Sequence, residues 1–306
     1  VSRIGPPPSL PADWPLRAHS LSVDADGLRW HVQRLGRGPL VVLLHGTGAS
    51  THSWAALAPA LAQHATVLVP DLPGHGHTRG ATPAQLTLPG MAHALQALVT
   101  ALGLPPPAAL VGHSAGAALG LRWALSRPAG TPLPQVLGFA PSLVAPPAFY
   151  TRWLAPLINP VATSGAVAAI TARLAAGTAL VDGLLNSTGS ALTPAQRAAY
   201  RRLFEDPAHV RGAVGFMAGA DLPALLAAPD TPQVPTAFVL GERDAWVPTP
   251  TLLPVIRQHL PQARVQRWDA GHLLHEEWPD DAVRWLLGEL PWVADTPPAG
   301  APGPRP

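Results

Sequence analysis

Three side chains of the types needed for nucleophilic catalysis stand at informative places in this chain. They are Ser114 in VGHSAG (111–116), Asp244 in GERDAWVP and His272 in DAGHLLH. A serine hydroxyl becomes a nucleophile only when a base takes its proton and a third group orients the base. The pattern G-x-S-x-G suits that use. A serine forced into a strained turn collides with the residues two away on either side unless both are glycine, here Gly112 and Gly116. Apolar AALV precedes the pattern. AGAALGLRWALS follows it, with Ala118, Leu121, Arg122 and Leu125 at helical spacing, so strand, turn and helix are expected. The start of that helix aims free amides and a dipole at the serine. Asp244 follows the apolar run TAFVLG and His272 follows ARVQRW, the order acid then histidine that such a serine requires downstream. His275 is a rival base. Glu242 and Asp269 are weaker candidates for the acid.

The developing oxyanion needs backbone amides. One is expected from Ala115, after the serine. The other is expected from Thr47 in HGTG (45–48), where glycines let a backbone approach substrate. Asp71 and His75 in DLPGHGHT could suggest a metal, but no second cluster has ligand spacing, and the segment reads as a shape-determining turn. No metal and no cofactor are expected: neither GTG nor GHG is a phosphate loop, and the chain has no lysine.

The segments that must position these residues alternate strand and helix. SLSV and LRWHVQRLG across DADG form a hairpin. PLVVLLHG (39–46) is an unbroken apolar run of the kind buried on both faces of a parallel sheet. SWAALAPALAQ reads as a helix, ATVLVPDLPGHG (65–76) as strand and turn, and TLPGMAHALQALVTALGL (87–104) as a helix with Met91, Leu95, Leu98 and Leu102 on one face. AALVGHS with its helix, and PQVLGFAPS (134–142), continue the order of a doubly wound α/β domain with a mostly parallel sheet. From Leu143 to Val234 the rhythm breaks into alanine- and leucine-rich segments, expected to be helical. It resumes at PTAFVLGERD, TLLPVIRQHL, ARVQRWDAGH and DDAVRWLLGEL. The expected organisation is a proline-rich arm (1–17), a core in two parts (18–143 and 235–290), a helical insertion (144–234) and a loose tail (291–306).

Composition narrows the partners. Hydrophobic residues make up 47% of the chain and charged residues 12%, which predicts a sizeable core and a sparsely charged surface. The pI is near 9.9, yet the formal net charge is only +2. With no lysine or cysteine and two tyrosines, little titrates between histidine and arginine, so that pI marks no basic patch. Arg197, Arg201 and Arg202 cluster, as on a solvated helix face, and nucleic acid is not an expected partner. Absence of cysteine excludes disulfides and thiolate chemistry. No run reaches the roughly 18 apolar residues of a membrane span, and the N-terminal VSRIGPPPSLPADWP has no apolar signal core. A cytoplasmic protein without a transmembrane segment is expected.

Taken together, LLHGTG, DLPGHGHT, GHSAG, GERDAWVP and AGHLLHEEWP resemble the α/β-hydrolase superfamily over nearly all of residues 18–290. Within it, WHVQRLGRGPLVVLLHGTGASTHSW, DLPGHGHT, GMAHAL and VGHSAGAALGLRWAL resemble a narrower group, the magnesium-chelatase accessory proteins of bacteriochlorophyll biosynthesis. Thr78 stands where many relatives carry serine in D-x-x-G-x-G-x-S, and keeps the hydroxyl. The resemblance implies the α/β-hydrolase fold with a lid inserted after the sixth strand. It also implies a link to the tetrapyrrole pathway near magnesium insertion, with chelatase subunits as partners and a location beside a photosynthetic membrane.

Such a lid roofs the pocket. Phe149, Trp153 and Met217 from the lid, with His45, His113, Trp246 and Leu273 from the core, are expected to contact substrate. The scarcity of charge between Leu154 and Thr193 suits a large flat or lipid-like ligand such as a tetrapyrrole, and Arg152 and Arg173 could meet porphyrin carboxylates. Two functions are therefore expected. One is a serine hydrolase acting on an ester-like bond of a bulky apolar substrate; the other is a non-catalytic porphyrin-binding or chelatase accessory protein. Thioester and carbon–carbon hydrolysis use the same triad, whereas serine at the elbow disfavours epoxide and haloalkane chemistry through a carboxylate nucleophile.

Overall fold

The computed structural model describes residues 3–6, 9–127, 130–145, 179–290 and 292. Strands β2 (Ser20–Ala25) and β3 (Leu28–Leu35) form the expected hairpin. Asp26 and Gly27 both take positive φ, as a two-residue hairpin turn requires. The strands that follow are β4 (Leu40–Leu44), β5 (Thr66–Pro70), β6 (Ala109–His113), β7 (Gln135–Phe139), β8 (Thr236–Gly241) and β9 (Arg264–Trp268). A short edge strand, β1 (Arg3–Gly5), pairs antiparallel with β2 inside the expected N-terminal arm. Farther along that arm, Trp14 and Leu10 are buried against Leu203.

Among the described residues nine strands make one sheet in the order β1-β2-β3-β5-β4-β6-β7-β8-β9. Pairing is parallel from β5 through β9. Strand β4 is buried throughout, and its alternation divides the core. Leu40, Val42 and Leu44 face a cluster that includes Met91, Leu95, Leu119 and Trp123, on helices α2 (Leu88–Ala101) and α3 (Ala115–Leu125). Val41 and Leu43 face Trp54, Leu57, Leu61, Trp285 and Leu286.

The expected helix over SWAALAPALAQ is broken into a 3-10 turn, Thr51–Trp54, and a single turn α1 (Ala58–Leu61). Pro59 has no N–H to give to a carbonyl four residues back, so a continuous helix cannot run through it. In the insertion, α4 (Ala179–Ser187), α5 (Pro194–Phe204), α6 (Pro207–Gly219) and α7 (Leu222–Leu226) are helical. Three helices complete the core: α8 (Thr249–His259), α9 (Leu274–Glu277) and α10 (Pro279–Glu289). Many of the prolines are used constructively. Pro89, Pro194, Pro207, Pro223, Pro250 and Pro279 stand in first helical turns, where a missing N–H costs nothing.

The chain runs from β4 outward to β5 and then crosses to β6 on the other side of β4. This reversal opens a crevice at the carboxyl ends of β4 and β6. The HGTG loop leaves β4 there, and Ser114 follows β6 at the same edge.

Candidate active site

Ser114 has φ 52° and ψ −120°, a conformation that costs a non-glycine residue strain. Packing around the turn holds it. A Cβ at residue 112 would collide with the backbone of Gly116 and Ala117, and one at 116 with the carbonyl oxygens of Leu44 and His45. Gly116→Ala is thus expected to cost about 3 kcal/mol or more, read as a lowered urea midpoint. An unchanged midpoint would sink this account of the elbow.

The Ser114 hydroxyl lies 3.0 Å from His272 Nε2, and His272 Nδ1 lies 2.7 Å from Asp244 Oδ2. Asp244 Oδ1 accepts the N–H groups of Trp246 and Val247 at 2.8 and 2.9 Å. Burial raises the pKa of Asp244, but the His272 ring and these amides outweigh it and hold the carboxyl below its ordinary value. Ser114 and Ala115 remain partly exposed. This arrangement can move the hydroxyl proton to His272 while Asp244 fixes the ring.

The other expected site residues divide into those at the cleft and those beneath it. Thr47 is half-exposed between buried Gly46 and Gly48. The Ala115 N–H opens α3 and has no intrahelical acceptor. His45, expected against substrate, is fully buried and used up by the main chain. Leu72 N–H donates to its Nε2 at 2.9 Å, so the ring proton sits on Nδ1 and is donated to Gly46 C=O at 2.8 Å. Burial pushes the ring down to a pKa of about 3. His113 is buried too, and its Nε2–H donates to His272 C=O at 3.0 Å, tethering the loop of the base. Leu273 packs with Val181, Leu185 and Tyr200 under the inserted helices. Trp246 lies nearly parallel to the His272 ring, centroids 6.0 Å apart, and donates to Ser187 Oγ. Met217 is half-buried on α6. Phe149, Trp153, Arg152, Arg173 and the tail lie outside the described residues, apart from Trp292.

His275 does not reach Ser114. Its ring is fully buried against Trp54, His113 and Phe139, and burial drives its pKa to about 3. Glu242 pairs with Arg267, and Asp269 with Arg243. Arg197 and Arg201 pair with Asp182, and Arg202 with Asp13, so each arginine of this cluster has a carboxylate partner. Asp71 is the hub of the DLPGHGHT turn. It accepts from Thr51 N–H, His77 N–H and His31 Nδ1, each at 2.7 Å. Among the described residues no group of three or more His, Cys, Asp or Glu could hold a metal, and no helix is long and apolar enough to cross a membrane.

Two features escaped the sequence reading. Glu276 is buried where Tyr200 O–H donates to its Oε1 at 2.6 Å, joining α5 to the core, and burial raises its pKa to about 8. His209 on α6 reaches both the DLPGHGHT turn and the HGTG loop. The spacing of Asp206, His209 and Gly212 marks one face of a helix, but nothing in it names the partner.

A strained serine between β6 and α3 at the switch point of this sheet, with an aspartate after β8 and a histidine after β9, is the arrangement of an α/β hydrolase. The model of the alpha/beta hydrolase family matches residues 41–285, and the chain belongs to that family. It is 35% identical over 291 residues to the magnesium-chelatase 30 kDa subunit of Rhodobacter capsulatus, covering 93% of this chain and 99% of that protein. It is 36% identical over 122 residues to a pimeloyl-[acyl-carrier protein] methyl ester esterase of Xylella fastidiosa (strain M12), covering 40% of this chain and 42% of that one. An alpha/beta hydrolase fold protein from Burkholderia ambifaria superposes with a TM-score of 0.69 at 26% identity, over 87% of this chain and 97% of its own.

Proposed function

We propose that the protein is a serine hydrolase cleaving an ester-like bond in a bulky apolar substrate, with a tetrapyrrole ester as the favoured class. The observation that carries this is the continuous hydrogen-bonded series Ser114–His272–Asp244 behind a strained, partly exposed serine. Ser114 Oγ attacks the carbonyl carbon as His272 Nε2 takes its proton, and the N–H groups of Thr47 and Ala115 receive the oxyanion. His272 returns the proton to the leaving alcohol. Water, deprotonated by the same ring, then attacks the acyl-serine, freeing the acid and restoring the hydroxyl. Trp246 beside His272 supplies an aromatic wall suited to a flat apolar group. The likeness to a protein named as a magnesium-chelatase subunit supports a tetrapyrrole over other apolar esters.

The same likeness, spanning 99% of that protein, favours a second reading as a porphyrin-binding or chelatase accessory protein. A fluorophosphonate probe with peptide mass spectrometry separates the two. Adduct at Ser114, lost in Ser114→Ala and His272→Ala, is expected. A folded protein that takes no label and binds porphyrin in a titration would replace the first reading with the second.

A further inference from the structure

We infer that His209, on the inserted helix α6, positions and polarises the oxyanion-hole amide of Thr47 through an unbroken series of hydrogen bonds; this rests on the serine-hydrolase reading. His209 is fully buried. Its Nδ1 accepts Gly76 N–H at 3.0 Å, which leaves the ring proton on Nε2, 3.2 Å from Gly48 C=O. That carbonyl shares a peptide group with Ala49 N–H, which donates to Gly46 C=O at 3.1 Å. The Gly46 carbonyl in turn shares its peptide with Thr47 N–H. In a trans peptide the two point opposite ways, so drawing the carbonyl inward turns the Thr47 N–H outward, toward the cleft. His45 Nδ1 donates to the same Gly46 oxygen and pulls in the same sense.

The series therefore runs from Gly76 N–H through the His209 ring and two peptide groups to the amide that would meet the oxyanion. Bonds in such a chain strengthen one another by roughly 10–30% each. The loop needs the restraint. Glycine on both sides of Thr47 leaves its peptides free to turn over, and a flipped 46–47 peptide would offer an oxygen where a donor is required. Helix α6 cannot drift from this position. Asp206 pairs with Arg79 at 2.6 Å, and the Gly212 backbone lies directly on Gly74. The ring of His209 also packs edge-on to His75 and Phe204, each at 5.5 Å.

His209→Phe keeps those ring contacts and removes both hydrogen bonds. The rate constant for fluorophosphonate labelling of Ser114, and kcat for a short p-nitrophenyl ester, are each expected to fall about 10- to 100-fold. KM should stay within about twofold, and the final fraction labelled should be unchanged, as misfolding would not allow. His209→Gln, which can carry an N–H to Gly48 C=O, should restore most of the rate. Labelling and kcat within about twofold of the parent in His209→Phe would overturn the inference. If His209→Phe does not fold, His209→Asn, too short to reach Gly48, replaces it: loss there with retention in Gln supports the inference, and equal rates overturn it. A parent protein that does not label at Ser114 would instead remove the hydrolase reading, and this inference with it.

Discussion

Asp244→Asn is expected to lower kcat for an activated ester by about 10⁴-fold while a cooperative unfolding transition is retained. The reason lies in how the carboxylate is held. Oδ1 accepts two backbone N–H groups, from Trp246 and Val247, and Oδ2 faces His272 Nδ1. An asparagine must keep its oxygen toward the two amides, because its own NH₂ there would meet donors with a donor. Its NH₂ then faces Nδ1, which can only accept. The ring proton moves to Nε2, and His272 presents an N–H to the Ser114 hydroxyl instead of a lone pair. Steady-state kinetics and the labelling rate at Ser114 both read this loss. A rate within about tenfold of the parent would mean that His272 is not the base.

A second large effect is expected in acid. Six buried rings, His45, His52, His75, His113, His209 and His275, are all shifted down by burial; for His45 and His275 the value is about 3, and for His52 and His75 about 4. A ring whose folded pKa lies below its unfolded value contributes stability that is fully present above about pH 6.5 and drains away as pH falls toward the folded value. Glu276 runs the other way. Its carboxyl, raised to about 8, contributes stability present below the unfolded value and lost as pH rises through the folded one. Between pH 6 and 5 it offsets one ring, leaving a net uptake of several protons on unfolding, each of which lowers stability by about 1.4 kcal/mol per pH unit. Typical domains have about 5–15 kcal/mol in total, so this one should lose much of its stability as pH falls from 7.5 to 5. Urea midpoints from pH 7.5 to 5 test it, and His275→Phe, which removes one ring from an aromatic nest, should lower the slope by about one proton. Midpoints that stay flat over that range would refute the account.

The three residues that meet at Ser114 could be picked out beforehand because their signals are local. Ser114 and Asp244 follow short apolar strands, His272 follows the edge strand RVQRW, and the glycines at 112 and 116 announce a turn in which no Cβ fits. The sheet was legible for the same reason, except at Arg3–Gly5, a three-residue strand hidden among prolines. What the sequence concealed is long-range. His45 looked like a substrate contact because its bonds to Leu72 and Gly46 exist only after β4 and β5 pair. His209 meets Gly76 across 133 positions. A histidine surrounded by main chain has no pattern of its own. The helix expected over SWAALAPALAQ failed on a single residue, Pro59, whose missing N–H outweighs the good helix formers around it.

The backbone contact between Gly212 and Gly74 also bears on how this protein can change by mutation. Along α6 it separates a face where variation is forbidden from one where it is nearly free. Arg211 and Ala218 are exposed and can accept most side chains, whereas any side chain at 212 would push the helix off the turn it rests on. A library built to shift substrate preference through this helix should therefore yield its survivors at the exposed and half-exposed positions, Met217 among them, and almost none at 206, 209 or 212. Recombination that brings in α6 from a relative will succeed only when the DLPGHGHT turn travels with it.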